Sequence, residues 1–138
     1  MNPVAITDWH KYLQDGDNFL QTALAGAKRR AAIFTPEILY NLVAMAIEKQ
    51  IMGFIMSRGD LAENHTMTDL LRALAKHAEV PADLARDLLY LDSFQEICDL
   101  NAYKRRPPTP AETSRILAIG SELQTFINLS LQRCRPAA

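Results

Sequence analysis

The stretch that decides the fold is Thr35–Ser57, TPEILYNLVAMAIEKQIMGFIMS, which carries charge only at Glu37, Glu48 and Lys49. Thr35 offers an N-cap hydroxyl, Pro36 takes the first helical position where its missing N–H costs nothing, and Glu37 lies at the positive end of the helix dipole. Ser57-Arg58-Gly59-Asp60 stops the helix. A helix apolar on nearly all sides must be covered on nearly all sides. It is therefore expected to be the central rod of a helical bundle, with a flank open to a second copy.

On the N-terminal side, Thr7-Asp8 can cap a short helix over Trp9 to Gln14, which Asp15-Gly16-Asp17 is expected to break. Asn18 to Ile33 then carries Phe19, Leu20, Ala23, Leu24 and Ala27 on one stripe at helical spacing. On the C-terminal side, Leu61 to Thr66 reads as a connection. Thr66 or Thr68 starts a helix to about His77 on Met67, Leu70, Leu71 and Leu74. Pro81 to about Asn101 is expected to be helical, burying Leu84, Leu88, Leu91, Phe94 and Cys98. The run Lys104-Arg105-Arg106-Pro107-Pro108-Thr109-Pro110 breaks the chain. Thr109 and Glu112 have capping-box spacing and open a last helix to about Gln132. No stretch alternates as a strand does. The expected fold is all-α: one domain over 1–138, an up-and-down antiparallel bundle of four main helices led by a short N-terminal one.

Composition sets the outer bounds. A chain of 138 residues can bury a core without staples. Its 15 basic residues nearly balance 16 acidic ones, which argues against a general nucleic-acid or membrane-surface binder. No basic and apolar leader opens the chain, and the Glu48–Lys49 pair would sit well inside a bilayer if Thr35–Ser57 crossed one, so the cytoplasm is the expected compartment and no membrane partner is expected. Cys98 and Cys134 form no ligand spacing. No glycine-rich phosphate loop, Gly-x-Ser-x-Gly or His-Glu-x-x-His occurs. Glu37, Glu48, Asp92, Asp99 and Glu122 could meet inside a bundle, but a di-metal site needs Glu-x-x-His steps that are missing. No metal and no cofactor are expected.

The order of the pieces resembles the HEPN family of small helical bundles. AMAIEKQIMGFIMSRG is similar to the family's Ala-x-Glu-x-x-Lys pattern on a long helix. His65-Thr66-Met67-Thr68-Asp69-Leu70 is similar to its His-x-Leu-x-x-Leu entry into the third helix. Ala102-Tyr103-Lys104-Arg105-Arg106-Pro107 stands where members carry an Arg-Tyr-Pro turn, from which it departs. The likeness runs from about Phe19 to Ile127. It implies a non-catalytic interaction or nucleotide-binding module, working as a homodimer with a nucleotidyltransferase-type partner, as in toxin–antitoxin pairs, with a nucleotide or RNA as ligand. The alternatives are a metal-independent RNase of the same type and a helical scaffold that binds only protein.

Nuclease members of that family use an Arg and a His separated by four to six residues, and two pairs match here: Arg58 with His65 and Arg72 with His77. The first spans a loop, and the second lies roughly 140° apart around a helix, so its members do not face each other. No catalytic residue is therefore assigned, and these four remain the candidates only under the RNase alternative. Lys28-Arg29-Arg30, Lys104-Arg105-Arg106 and Arg133 with Arg135 end expected helices, where cations complement the dipole. In an up-and-down bundle Arg58, His65, Lys104, Arg105 and Arg106 would gather at one pole as a phosphate- or nucleotide-binding set, with Lys28–Arg30 and Arg133 at the other. Met45, Met52 and Met56 step along one flank of the central helix, as core filling or as a pliable dimer interface.

Overall fold

A computed structural model describes residues 8–94 and 107–133, and every structural statement below concerns these residues. The described residues form five helices: α1 (Trp9–Arg29), α2 (Pro36–Ser57), α3 (Met67–Ala75), α4 (Ala82–Asp92) and α5 (Pro110–Arg133). The class is all-α, a helical bundle.

α2 is the central rod. Its Thr35 hydroxyl accepts the Ile38 N–H at 3.3 Å, and Val43, Ile47, Ile51, Phe54, Ile55 and Met56 are almost wholly buried. By length and composition α2 could cross a membrane, but 61% of its most apolar window is buried inside the fold, as befits a helix covered by neighbours. Its end is a Schellman turn: Asp60 N–H donates to the Ile55 carbonyl and Gly59 N–H to that of Met56, both at 3.0 Å. Gly59 takes φ +78°, the left-handed conformation this turn requires.

The N-terminal segments differ from expectation, because Asp15-Gly16-Asp17 does not break the chain. Trp9–Arg29 is one helix, with Gly16 buried in its middle. The reason is tertiary. A Cβ on Gly16 would lie 2.8 Å from Gln50 Nε2 and 3.1 Å from the Ala46 carbonyl oxygen, so the glycine lets α1 and α2 close together. The Gln50 amide donates to the Leu13 carbonyl at 3.1 Å and to Asp17 Oδ1 at 2.7 Å, and Gln124 Nε2 donates to the same oxygen at 2.7 Å. Asp17 thus joins α1, α2 and α5, and local turn propensity yields to packing.

Paired contacts give the directions. Leu13 packs beside Gly53 and Phe34 beside Gly26, so α1 and α2 are antiparallel. Gly120 meets Val43, and Arg58 reaches the Ser130 carbonyl, so α5 runs in the same sense as α2. Tyr40 O–H donates to the Leu91 carbonyl at 3.0 Å, which puts the end of α4 beside the start of α2. Arg115 bonds Asp87 at 3.2 Å and lies 3.7 Å from the Tyr90 ring centre, so α5 returns antiparallel to α4. The connection Arg58–Thr66 leads back along α2 before α3 begins; Met67 and Leu70 lie near Asn41 and Ala44, whereas His77 reaches Asp60. α3 is therefore inclined alongside α2 in the same general sense, and α4 reverses.

The last helix begins with the expected capping box. Thr109 N–H donates to Glu112 Oε1 at 2.9 Å, and Glu112 N–H to Thr109 Oγ1 at 3.1 Å. α3 is capped by Thr66, whose hydroxyl accepts the Asp69 N–H at 3.2 Å. The expected helix beyond Phe94, with Ile97 and Cys98, lies outside the described residues.

Candidate functional site

The four residues of the Arg/His pairs each find a partner within the chain. Arg58 is the C-cap of α2; its Nη2 donates to the Ser130 carbonyl at 3.3 Å and its guanidinium carbon stands 5.0 Å from the Phe54 ring centre. There it complements the negative ends of two helices that finish side by side. His65 Nδ1 meets Glu48 Oε2 at 2.8 Å, and His77 Nε2 meets Asp60 Oδ2 at 2.8 Å. Arg72, exposed on α3, pairs with Asp69 at 3.4 Å. Asp60 also accepts the Leu61 N–H at 2.8 Å. Its carboxyl is held below the ordinary value, first by the hydrogen bond to His77, then by that to Leu61, with the charges of His77 and Lys76 adding and burial opposing.

The expected gathering of cations at two poles does not occur in that arrangement. Arg58 sits by Ser130, one turn short of Arg133, so these two share a pole. His65 is not at that pole but beside Glu48, about 14 Å of helix rise before Ser57. The physical reason is the path of residues 58–66, which carries His65 back along α2. α4 ends next to Tyr40, at the pole where α1 finishes. Lys104, Arg105 and Arg106 lie outside the described residues.

Of the three methionines, Met52 and Met56 are 5% and 0% exposed and belong to the core of the single chain, as does the flank they were to share. Met45 is 44% exposed and stands on the outer strip of α2 with Ile38. Beside it runs a groove of about 310 Å³ between α2 and α3, lined by Asn41, Ala44, Met45, Glu48, His65, Met67 and Leu70. Among the described residues no three His, Cys, Asp or Glu side chains converge as a metal site.

Two features escaped sequence reasoning. The Asp17–Gln50–Gln124 node was signalled only by a lone Gln in an apolar run, and nothing in sequence joins it to an Asp-Gly-Asp a helix away. The second is a groove of about 310 Å³ where α1 ends and α2 begins, lined by Thr22, Ala25, Gly26, Arg29, Arg30 and Phe34. Its arginines were singled out, but the aromatic floor beneath them was not.

No protein-family model matches the sequence. No curated protein sequence matches it either. Among solved structures, the chain is similar to TT1696 from Thermus thermophilus, with a TM-score of 0.70 over 89% of this chain and 98% of that one. At 20% identity the likeness shows a shared helical-bundle fold.

Proposed function

We propose that the chain is a non-catalytic interaction module of the HEPN type, acting as a homodimer beside a nucleotidyltransferase-type partner. One observation supports the non-catalytic part: the guanidinium groups of Arg58 and Arg72 are each bonded within the fold. Cleavage of a phosphodiester needs an imidazole for proton transfer and a guanidinium aimed at the same phosphate. Arg58 is committed to the Ser130 carbonyl and Arg72 to Asp69, which supports a binding rather than a cleaving role. The dimer reading is supported by the outer strip of α2, where Ile38 and Met45 are 42% and 44% exposed.

The RNase reading retains one favourable observation. A carboxylate on one imidazole nitrogen, as Glu48 provides for His65, is the arrangement that orients a proton-transferring histidine. Incubating the purified protein with RNA in a chelator, beside His65→Ala and His77→Ala, separates the two. The proposal expects intact RNA in all three. Cleavage by the native chain that either substitution abolishes would overturn it in favour of the RNase. Mass in solution tests the dimer; a monomer at all concentrations would remove that part.

A further inference from the structure

The groove at the α1–α2 corner has a chemistry of its own. Its floor is apolar: Ala25, the bare backbone of Gly26, and the half-buried ring of Phe34. A Cβ on Gly26 would come within 2.5 Å of ring atoms of Phe34, so the glycine allows that ring to lie directly on α1. Its rim is polar and cationic, with the exposed Thr22 hydroxyl, Arg29 and Arg30. Lys28 precedes them and is exposed too. Among the described residues neither Arg29, Arg30 nor Lys28 forms an ion pair, whereas Arg58, Arg72, Arg86 and Arg115 each bond a carbonyl or carboxylate.

The surroundings reinforce the positive charge. α2 begins a few residues on, so its first-turn N–H groups lie at the same corner. The opposing features are the carbonyls that end α1 and the exposed carboxylate of Glu37. Ile33, next to Phe34, is 60% exposed, a large apolar side chain that the chain itself leaves uncovered.

We infer that this corner is a binding site for a small anion with a flat apolar body, such as an aromatic phosphate monoester, with the ring against Phe34 and the anionic group between Arg29 and Arg30. Guanidinium groups match the oxygen geometry of phosphate, and an aromatic side chain offers a face for a planar ring. Each half of the ligand answers one half of the groove. The inference uses none of the residues on which the HEPN reading rests, and it stands or falls apart from it.

The test uses the full chain, labelled with nitrogen-15, titrated with 1-naphthyl phosphate, with 1-naphthol and with inorganic phosphate. Expected is a saturable movement of amide signals confined to the end of α1 and the turn into α2. Inorganic phosphate and 1-naphthol should each bind at least about tenfold more weakly, the first because it has no ring to lay against Phe34, the second because it has no charged oxygens to accept from the guanidinium groups. The double variant Arg29→Gln, Arg30→Gln should show the same loss with an unchanged melting temperature. If it melts lower, Thr22→Glu, at an exposed helical position, sets a repelling carboxylate in the groove and should give the loss instead. Signals that move elsewhere, no saturable movement, equal binding of inorganic phosphate, or full binding by Thr22→Glu would each overturn the inference.

Discussion

Replacing Gly16 by alanine tests the packing of α1 on α2 at its tightest point. An exposed helix would gain about 1 kcal/mol from this change. Here the new Cβ meets Gln50 Nε2 at 2.8 Å, Gln50 Cγ at 2.9 Å and the Ala46 oxygen at 3.1 Å. Gln50 is 2% exposed and cannot swing into water, so its amide must leave the Leu13 carbonyl, Asp17 or both. Overpacking costs about 1–3 kcal/mol. A buried amide without its partner adds about 1–3 kcal/mol. Against the helical gain, the net loss is about 3 kcal/mol, with a melting-temperature drop on the order of 10 °C for a chain of this length. The informative comparison is the same substitution in a Gln50→Ala background. There only the Ala46 oxygen remains in the way, and Gly16→Ala should be close to neutral, giving a coupling of about 3 kcal/mol in the double-mutant cycle. Thermal or urea unfolding of the four proteins measures it. A higher melting temperature for Gly16→Ala in the native background would refute the reasoning, because the space for a methyl group would then exist.

Other perturbations probe other joints. Asp60, whose carboxyl titrates below its ordinary value, contributes stability that is present above about pH 4 and is lost as pH falls through the lowered value; Asp60→Asn should flatten that acid limb of a melting-temperature profile. Thr109→Ala removes half of a capping box and should cost about 1 kcal/mol in urea unfolding. Gly59→Ala, at φ +78°, should cost about 1 kcal/mol through backbone strain alone, since no atom lies within 4 Å of the added Cβ. Met52→Lys places a charge at a 5% exposed position and should cost about 3 kcal/mol or more. Met45→Lys should leave the melting temperature of the single chain nearly unchanged and lower the mass in solution, as light scattering would show, if a second copy covers it.

Sequence pattern revealed what depends on neighbours along the chain. Thr35 with Pro36, Thr66, Thr109 with Glu112, and Gly59 mark helix ends by local hydrogen bonding, and each is found where the residues imply. The all-round apolarity of α2 announced its central place. Asp15-Gly16-Asp17 was misleading because the same residues favour a turn in isolation and a close helix crossing in a core. Only Gln50 and Gln124, 34 and 108 residues from Gly16 along the chain, decide between them. The methionine stripe divides for the same reason: Met52 and Met56 fill the core, one of the two roles their spacing allowed, whereas Met45 stays exposed, because α2 is open only along its first half and closed on all sides from Gln50 to Met56.

The same dependence on partners explains why two clusters of cations at helix ends have different fates. Arg58 ends α2 where α5 ends beside it, so unpaired carbonyls of a second helix are within reach, and the Ser130 oxygen accepts its N–H. Charge at that end is absorbed by the fold. Lys28, Arg29 and Arg30 end α1 at the opposite pole, where α2 and α5 both begin. The first turn of a helix presents N–H donors rather than acceptors, of which Thr35 takes one in α2 and Thr109 one in α5. α4 also ends at this pole, against Tyr40, but among the described residues no guanidinium of this cluster donates to its carbonyls, and the carboxylate of Glu37 makes no ion pair with them. Helix direction, which no local pattern carries, thus leaves this corner with exposed positive charge over an apolar floor. An anion from outside the chain is what such a corner is built to accept.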